Sequence, residues 1–343
     1  MPAVFIRLRP SGPWRIGPDS GDRDRVDRVY HSDALYSAVC ASMARLGALE
    51  EWLDATARSA EPAVRFSSCF PFHNDTLYVV PPRHIWPPPA SSKVRWKGAR
   101  FVPLKVVETL LSGKPLSEDS WVVDGESECL MPSSAPPGSS LFRAAVRSSA
   151  AMDRNGEGTT PHSVACVEFT PNSGLWFVAA FADEAASNQW LARLKAAIRL
   201  LADSGFGGER SRGWGRSEMP EFREGELAEL LGRRSENRAE PGDVGHETGH
   251  WMLSLFHAGE NDAVAWERGN YSLTTRGGRI ESEAGWGEPK KNTRMVAEGS
   301  VLVAAAEPRG AAANVAPNGF AHPVYRAGFA LSLPVPLKVP AAS

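Results

Sequence analysis

Residues 205–216 read Gly205-Phe-Gly-Gly-Glu-Arg-Ser-Arg-Gly-Trp-Gly-Arg216, and they hold five glycines, three arginines and one tryptophan. They follow residues 185–202, whose apolar side chains recur at helical spacing and predict an amphipathic helix that ends at Gly205. Glycine lets a backbone approach a ligand closely, and arginine carries a fixed positive charge that suits phosphate groups. We interpret the stretch as a loop that contacts nucleic acid, against the plainer alternative of a surface turn.

Two familiar phosphate-binding motifs do not fit this stretch. It lacks the Gly-Lys-Ser/Thr sequence of a Walker A loop. It also follows a predicted helix, whereas the dinucleotide-binding glycine motif follows a strand. No pair of carboxylates and no Ser/His/Asp arrangement elsewhere in the sequence indicates catalysis.

Composition limits the kind of nucleic-acid site that the chain can carry. The 343 residues are enough for two domains, and a hydrophobic content of 42% is typical of a globular protein. The formal net charge is −2, so a nucleic-acid site must be a local basic patch. Arginine outnumbers lysine by 30 to 8, which favours planar contacts with phosphates and bases, although a GC-rich genome gives the same bias.

The four cysteines form no C-x-x-C pair, so we expect buried free thiols in a reducing compartment. They are Cys40, Cys69, Cys129 and Cys166. No stretch approaches the ~18 apolar residues of a membrane span, and the N-terminus lacks the apolar region of a signal peptide. We expect a cytoplasmic protein with no membrane contact, no cofactor and no metal.

Residues 1–224 are predicted to form a first domain of the α+β class. Alternating side chains predict a strand over residues 3–9, and a helix follows over residues 31–46. A strand, a loop and a helix in this order begin a ferredoxin-like βαββαβ unit. The later predictions are strands over residues 64–72 and 76–80, an apolar hairpin of strands 164–170 and 174–181, the helix over 185–202 and a strand over 215–222.

Residues 81–163 interrupt this unit with sequence rich in proline, serine and glycine. Such sequence predicts a long insertion and not a domain core. Within it, residues 143–154 followed by Gly156-Glu-Gly158 predict one arm and the tip of a protruding hairpin.

Residues 225–247 predict a linker, and residues 248–343 predict a second domain that is rich in strands. The strands are predicted over residues 251–257, 271–280, 294–296, 300–304 and 325–333, with one helical candidate at 262–268. Two successive units that each open with an apolar strand suggest a tandem arrangement.

The sequence His246-Glu-Thr-Gly-His250 matches the H-E-x-x-H pattern of zinc proteases. That mechanism needs both histidines on one face of a stable helix. Three neighbouring glycines interrupt any helix here, and a strand is predicted from Trp251 onwards. We interpret the pattern as a chance match in a linker.

His31 lies just before the first helix, where the glycine-rich loop of a ferredoxin-like unit can also reach. An imidazole at this place could act as a general base in RNA cleavage. The alternatives, which we favour, are that His31 caps the helix or contacts RNA without chemistry.

Three further stretches, at residues 274–279, 290–294 and 322–326, combine arginine or lysine with small or hydroxyl residues. Each is weak alone, because such stretches are first of all turn and bulge signals. Together with the loop they predict an RNA surface with several contact points. The predicted RNA-binding residues are Gly205, Phe206, Gly207, Gly208, Arg210, Ser211, Arg212, Gly213, Trp214, Gly215 and Arg216, with Arg15, His31, Arg147, Arg154, Arg276, Gly277, Arg294, Tyr325 and Arg326.

Several segments, in this order, resemble the fourth Csm subunit, a RAMP protein of the Cas-five group in type III-A CRISPR effector complexes. They are residues 31–38, 70–72, 152–154, 203–216, 273–278, 294–300 and 322–326. The resemblance covers nearly the whole chain and is weaker around Pro87.

The resemblance implies tandem ferredoxin-like (RRM-like) RAMP folds with a thumb-like β-hairpin, for which residues 147–159 are the candidate. It implies an RNA-binding scaffold in antiviral defence that grips the 5′ tag of the CRISPR RNA with residues 205–216. It further implies docking against the large signature Cas subunit and the adjacent backbone RAMP subunit. Glu209 stands where a basic residue is common, which puts one phosphate contact in question.

Two other functions stay open from the sequence. A metal-independent endoribonuclease would use His31 as the base and the arginines of the loop to hold the scissile phosphate. A general single-strand-binding module would work without partners, but the near-neutral net charge gives it little non-specific attraction to RNA.

Overall fold

The computed structural model describes residues 1–18, 21–88, 96–136, 138–152, 159–232, 248–282 and 285–337. The elements up to residue 232 are, in chain order, β1 (Pro2–Leu8), α1 (Ser32–Arg45), α2 (Leu49–Ala55), β2 (Val64–Phe66), β3 (Phe70–His73), β4 (Thr76–Val79), β5 (Val102–Pro103), α3 (Leu104–Leu111), β6 (Trp121–Val123), β7 (Leu130–Pro132), β8 (Phe142–Met152), β9 (Thr159–Phe169), β10 (Ser173–Phe181), α4 (Glu184–Ser204), β11 (Glu221–Glu226) and α5 (Leu227–Leu230).

Strand β1 lies inside a seven-stranded sheet whose order is β11-β1-β10-β3-β4-β5, with β2 also pairing with β10. Phe5 of β1 pairs with Val178 of β10 on one side and with Arg223 of β11 on the other, both antiparallel. Helices α1 and α4 pack against each other beside this sheet. The βαββαβ order predicted for the first unit is therefore present, and the α+β class is confirmed.

The large apolar side chains explain why these elements form one layer of helices on a sheet. Trp52 in the middle of α2 meets Trp190 of α4 edge to face at 5.2 Å, and both rings are fully buried. Trp176 of β10 packs on Phe5 of β1 at 5.5 Å. Burying aromatic rings of this size contributes much of the stabilisation of such a core.

Two strand predictions of the first unit are wrong in their pairing or position. Strands β9 and β10 exist, but β9 pairs with β8 whereas β10 joins the main sheet, so residues 164–181 are not a hairpin. The last strand is Glu221–Glu226 and not residues 215–222, because the glycine-rich loop and a further turn extend to residue 220.

The insertion also needs a correction. Its described residues build α3 and strands β5 to β7, and their buried side chains belong to the main core cluster. Phe101 and Phe142, for example, meet edge to face at 6.2 Å and are buried. Part of the predicted insertion therefore belongs to the domain core, which its proline-rich composition did not indicate. The protruding hairpin is confirmed as the antiparallel β8–β9 pair, and its tip at residues 153–158 lies outside the described residues.

The elements after residue 247 are β12 (Thr248–Met252), β13 (Leu273–Arg276), β14 (Arg279–Ser282), β15 (Gly285–Pro289), β16 (Thr293–Val296), β17 (Val301–Leu302), β18 (Ala312–Asn314), β19 (Tyr325–Ala327) and β20 (Ser332–Pro336). They form a three-stranded sheet of order β17-β12-β20 and the two-stranded pairs β13–β16, β14–β15 and β18–β19. The helical candidate at residues 262–268 is only a 3-10 turn, Trp266–Arg268. Within the described part of residues 248–337 the α-helices of a second ferredoxin-like unit are not found.

The two predicted domains share one hydrophobic core. The main apolar cluster holds residues from both, including Trp251 and Phe329 of the second. Trp251 also donates its indole N–H to the carbonyl of Val80, 3.2 Å away, across the predicted boundary. The division at residues 225–247 stays a prediction, since residues 233–247 lie outside the described ranges.

The cysteines are free thiols, three of them buried and Cys40 half-buried. No helix among the described residues has both the length and the apolar character to cross a bilayer.

Candidate nucleic-acid interface

The glycine-rich loop, residues 205–216, is anchored to the core by Phe206. Gly205 ends α4 with a φ of 97° and donates its N–H to the carbonyl of Leu201 at 2.7 Å. The buried ring of Phe206 then stacks on Trp14 at 5.2 Å and meets the edge of Tyr30 at 6.0 Å. The loop therefore leaves the helix as a fixed element and not as an open surface turn.

Most of the glycines serve the packing of the loop itself. A Cβ atom on Gly215 would lie 2.0 Å from the carbonyl oxygen of Phe206, and one on Gly207 would lie 2.3 Å from that of Arg15. Both residues also have positive φ angles, 79° and 72°. This differs from the sequence interpretation, in which the glycines bring the backbone close to a ligand. Only the surroundings of Gly213 fit that interpretation, because no atom lies within 4 Å of its Cβ position.

The outer half of the loop presents its basic side chains. Residues Arg210–Arg212 form a 3-10 turn. Ser211, Arg212 and Arg216 are exposed, whereas Arg210 and Trp214 are half-buried. A half-exposed indole beside guanidinium groups can stack a base while the arginines contact phosphates. The geometry of the outer loop thus suits single-stranded nucleic acid.

Arg212 connects the loop to the β8–β9 hairpin. Its guanidinium lies 2.8 Å from Nε2 of His162 and 3.3 Å from Oγ of Ser149. Because arginine only donates, Nε2 of His162 is the acceptor of this hydrogen bond. Glu209 pairs with Nε of Arg212 at 3.2 Å, so this acidic residue holds the arginine in place. The sequence marked Glu209 as a departure, and the structure gives it a partner inside the loop.

The hairpin adds two exposed arginines to the same surface. Arg143 and Arg147 both pair with Glu168 on the opposite strand and remain more than half exposed. Two guanidinium groups share one carboxylate, so the cluster keeps a net positive charge. Exposed ion pairs of this kind are weak and can exchange for phosphate contacts. Arg154, the other predicted contact on this hairpin, lies outside the described residues.

Arg15 has a structural role that the sequence did not reveal. Its guanidinium is buried and donates to the carbonyls of Asp22, Arg23 and Ala165 at 2.7 to 3.1 Å. Burial lowers the pKa of Arg15 from its ordinary value. Its backbone carbonyl accepts the N–H of Gly208 at 3.0 Å. Arg15 therefore supports the loop from below, and its predicted contact with RNA would require these bonds to open.

His31 is buried between two carboxylates. Nδ1 lies 2.7 Å from Oε1 of Glu298, and Nε2 lies 3.1 Å from Oδ2 of Asp27. Burial alone would lower the pKa of His31, but the charge of Glu298 and the bonds to both carboxylates raise it to about 9. Glu298 is buried as well, and the charge of His31 with hydrogen bonds from His31 and Ser68 outweighs that burial and lowers its pKa.

An imidazole in this setting is already protonated at neutral pH. A protonated ring cannot accept a proton from a ribose hydroxyl, so the general-base role considered for His31 does not fit this protonation state. His31 stands at the N-cap position of α1, but its side chain makes no capping bond. The proposed contact of His31 with RNA is likewise at odds with its burial at 8% exposure.

Arg276 and Arg326 converge on one buried carboxylate, that of Asp33 in α1. Arg276 lies 3.0 Å from Oδ1 and 3.1 Å from Oδ2, and Arg326 pairs with Oδ2. Burial opposes the charge of Asp33, but the two guanidinium groups lower its pKa to about 2. Arg326 also donates to the carbonyl of Gly277. Direct contact of either arginine with RNA would need this buried pair to open.

The remaining predicted contacts lie on strands of the C-terminal part. Arg294 is exposed on β16. Tyr325 is half-buried on β19, and the guanidinium of Arg58 lies 6.0 Å from the centre of its ring. The structure thus groups the loop with Arg147, and it groups His31, Arg276 and Arg326 around the start of α1.

Several residues of these two groups escaped the sequence analysis. Trp14, Tyr30 and His162 hold the loop, while Asp33 and Glu298 hold the histidine and the arginines. Glu298 is 267 positions from His31, and no local pattern links them. Asp33 lies two residues after His31 in the first turn of α1, and this acidic residue in a mostly apolar helix face is a local signal for a buried cation partner.

The zinc-protease pattern falls at the edge of the described residues. His246 and Glu247 lie outside them, and His250 lies within strand β12, paired with Pro334 and Leu302. This part of the pattern is a strand and not a linker, because β12 begins at Thr248, whereas the strand was predicted only from Trp251. No group of metal-ligating side chains is found among the residues that the structure describes.

Residues 246–335 match the family described as CRISPR Csm4 C-terminal domain. A chain in the crystal structure of the Csm3-Csm4 subcomplex of the type III-A CRISPR-Cas interference complex has the same fold, with a TM-score of 0.65 and 16% identity over 97% of this chain and 99% of the other. A chain in the crystal structure of the Csm1-Csm4 cassette in complex with cA4 gives a TM-score of 0.56 and 18% identity over the full length of both. No curated protein matches the sequence.

Csm4 is the component that these two assemblies have in common. The match to the Csm4 C-terminal domain lies in the C-terminal part of the chain, and the shared fold extends over its whole length.

Proposed function

We propose that this chain, whose residues 246–335 match the Csm4 C-terminal domain family, is the Csm4 subunit of a type III-A CRISPR interference complex. The observation that carries the proposal is the family match together with a fold shared over the full length with chains of Csm4-containing assemblies. The subunit is a scaffold in antiviral defence and works in the cytoplasm.

The RNA that it holds is the 5′ tag of the CRISPR RNA. Arg210, Arg212 and Arg216 of the glycine-rich loop contact phosphates, and Trp214 stacks a base. The β8–β9 hairpin, with Arg147, forms the second side of the grip. The bond between Arg212 and His162 supports this arrangement, because it fixes the loop against the hairpin at 2.8 Å.

The partners follow from the assemblies that share the fold. Csm4 occurs with Csm1 in one and with Csm3 in the other. By this likeness the chain bridges a large subunit of the Csm1 kind and a backbone RAMP subunit of the Csm3 kind.

The subunit acts without catalysis of its own. The burial of His31 between two carboxylates supports this reading, because it disfavours His31 as the general base of the endoribonuclease alternative. We therefore prefer the scaffold over the enzyme, and we place the stand-alone binding module last.

The test is RNA binding by the reconstituted complex. A triple variant, Arg210→Ala, Arg212→Ala and Trp214→Ala, is assembled with its partner subunits and titrated with CRISPR RNA that carries or lacks the tag. Because stacking and charge contacts of this kind contribute about 1–3 kcal/mol per base, we expect affinity for tagged RNA to fall at least about tenfold.

The matched control removes two exposed arginines elsewhere, Arg193 and Arg309, which pair with Glu51 and Glu61. It should bind tagged RNA as the wild type does. Unchanged affinity and assembly in the triple variant would contradict the proposal.

A further inference from the structure

The start of α1 joins the C-terminal part through three successive residues. His31, Ser32 and Asp33 are all buried, and each bonds to a group after residue 247. Their partners are, in order, Oε1 of Glu298 at 2.7 Å, the backbone N–H of Leu255 at 3.0 Å, and the guanidinium groups of Arg276 and Arg326.

The junction is a cluster of opposite charges that are mostly buried. Asp27, Asp33 and Glu298 face three cations, His31, Arg276 and Arg326, and Asp27 also pairs with the exposed Arg100 at 3.4 Å. Loss of one partner leaves a buried charge without compensation, so the junction forms or opens as a unit. Its integrity therefore depends on the C-terminal part lying in place against α1.

The same segment supports the glycine-rich loop by two routes. Oδ2 of Asp27 lies 3.1 Å from His31, and the N–H of Asp27 bonds at 2.9 Å to the carbonyl of Ile16, the residue after Arg15. Arg15 in turn accepts the N–H of Gly208 at 3.0 Å. On the second route, the ring of Tyr30, directly before His31, meets Phe206 edge-on at 6.0 Å.

We propose that His31, Ser32 and Asp33 are positioning residues for the glycine-rich loop. The seated C-terminal part fixes the segment 27–33, and this segment fixes the loop from below at Gly208 and Phe206. Coupling of this kind is reciprocal, so a ligand that orders the loop also tightens the junction. The coupling between the junction and the loop is argued from contacts within the chain alone. Its effect on RNA binding rests on the proposed function.

The first experiment needs no RNA. Amide hydrogen exchange is measured on the full chain for Asp33→Asn and for Met43→Ala, a control that removes a buried side chain from the other end of α1. The amides of Phe206, Gly208 and Gly215 report on the loop. The first bonds to Gly215 within the loop, and the other two bond to the carbonyls of Arg15 and Pro13 beneath it. We expect them to exchange about tenfold faster in Asp33→Asn and at the wild-type rate in Met43→Ala, because loop amides exchange through local opening.

Equal exchange at these amides in both variants would overturn the proposal. A milder variant, Ser32→Ala, removes one neutral hydrogen bond and keeps every charged group of the junction. It should raise exchange at the same amides about threefold, and it serves as the test if Asp33→Asn does not fold.

The second experiment uses the reconstituted complex with tagged CRISPR RNA. Exchange at the amide of Leu255, which bonds to Ser32, should slow about tenfold when RNA binds to the wild type. If the loop variants lose RNA affinity but RNA leaves this amide unchanged in the wild type, the coupling is wrong while the proposed function stands. If the loop variants bind RNA normally, the proposed function fails, and the exchange data on the free chain still decide the coupling.

Discussion

His31 is the residue whose chemistry differs most from its ordinary behaviour. Its folded pKa of about 9 lies above the ordinary value of 6.5, because Glu298 and Asp27 stabilise the imidazolium. A group of this kind contributes stability below pH 6.5, and the contribution disappears as the pH rises through 9. The start of α1 is therefore held most firmly at neutral and mildly acidic pH.

This gives a prediction for the pH dependence of stability. Between pH 6.5 and 9.5 the free energy of unfolding of the wild type should fall by about 3 kcal/mol more than that of His31→Gln. Urea unfolding of the full chain at a series of pH values measures the difference. His257→Gln, a half-buried histidine elsewhere, should follow the wild type, and parallel pH profiles for wild type and His31→Gln would contradict the prediction.

The partners of the charged residues could not be predicted from the sequence. The sequence singled out His31, Arg276 and Arg326 as RNA contacts, whereas the structure places all three in buried ion pairs. Whether a cation faces solvent or a buried carboxylate depends on partners far away in the sequence, as Asp33 and Arg326 illustrate at 293 positions apart. Local pattern carries no information about such pairs.

Among the elements, the glycine-rich loop is the one whose shape the structure explains best. Gly213 and Gly215 share a φ of 79°, yet a Cβ on Gly213 meets nothing, whereas one on Gly215 would lie 2.0 Å from a carbonyl oxygen. Alanine substitutions at these two glycines therefore distinguish two energetic costs, that of a left-handed backbone and that of a steric clash.

Gly213→Ala should lower the free energy of unfolding by about 1 kcal/mol, which is the cost of the left-handed conformation. Gly215→Ala should cost at least about 2 kcal/mol more, because Phe206 must also move. Denaturant unfolding of the two variants gives the comparison. Equal losses would mean that the loop is not packed on Phe206 as described.

The spacing of apolar residues predicted most strands and both long helices of the first unit, but it did not predict which strands pair with each other. Strand β9 and strand β10 both appeared as apolar runs separated by a turn, which is the pattern of a hairpin. They separate because β9 pairs with β8 and is also bridged by Trp14 at Val167, while β10 fits between β1 and the strands β2 and β3. Pairing is decided by the whole sheet, so the local pattern could not settle it.

At the scale of the whole molecule, the two predicted domains are packed against each other through the junction at α1 and the shared core. The C-terminal part has its own small sheet, yet Trp251 and Phe329 belong to the main cluster. The βαββαβ order of the N-terminal unit was predictable from its pattern of strands and helices. The contribution of residues 96–152 to the core was not, because proline-rich composition is typical of surface segments and masks short buried strands such as β5.

The segments that resemble the fourth Csm subunit and the family match at residues 246–335 point to the same family, but they support different parts of the account. Residues 203–216 suggested the RNA grip, and the structure adds the support beneath it and the bond to the hairpin. The family match concerns residues 246–335, the region that contacts α1 through Leu255 and Glu298. The proposed RNA site and the matched domain are therefore physically connected.

The most direct test of the central claim is photo-crosslinking of the assembled complex. CRISPR RNA with 4-thiouridine at single tag positions is loaded, irradiated and digested, and the crosslinked peptides are identified by mass spectrometry. We predict that tag positions crosslink to peptides of this chain that contain residues 205–216 and strands β8 and β9. Crosslinks from every tag position to other subunits, with none to these peptides, would contradict the account.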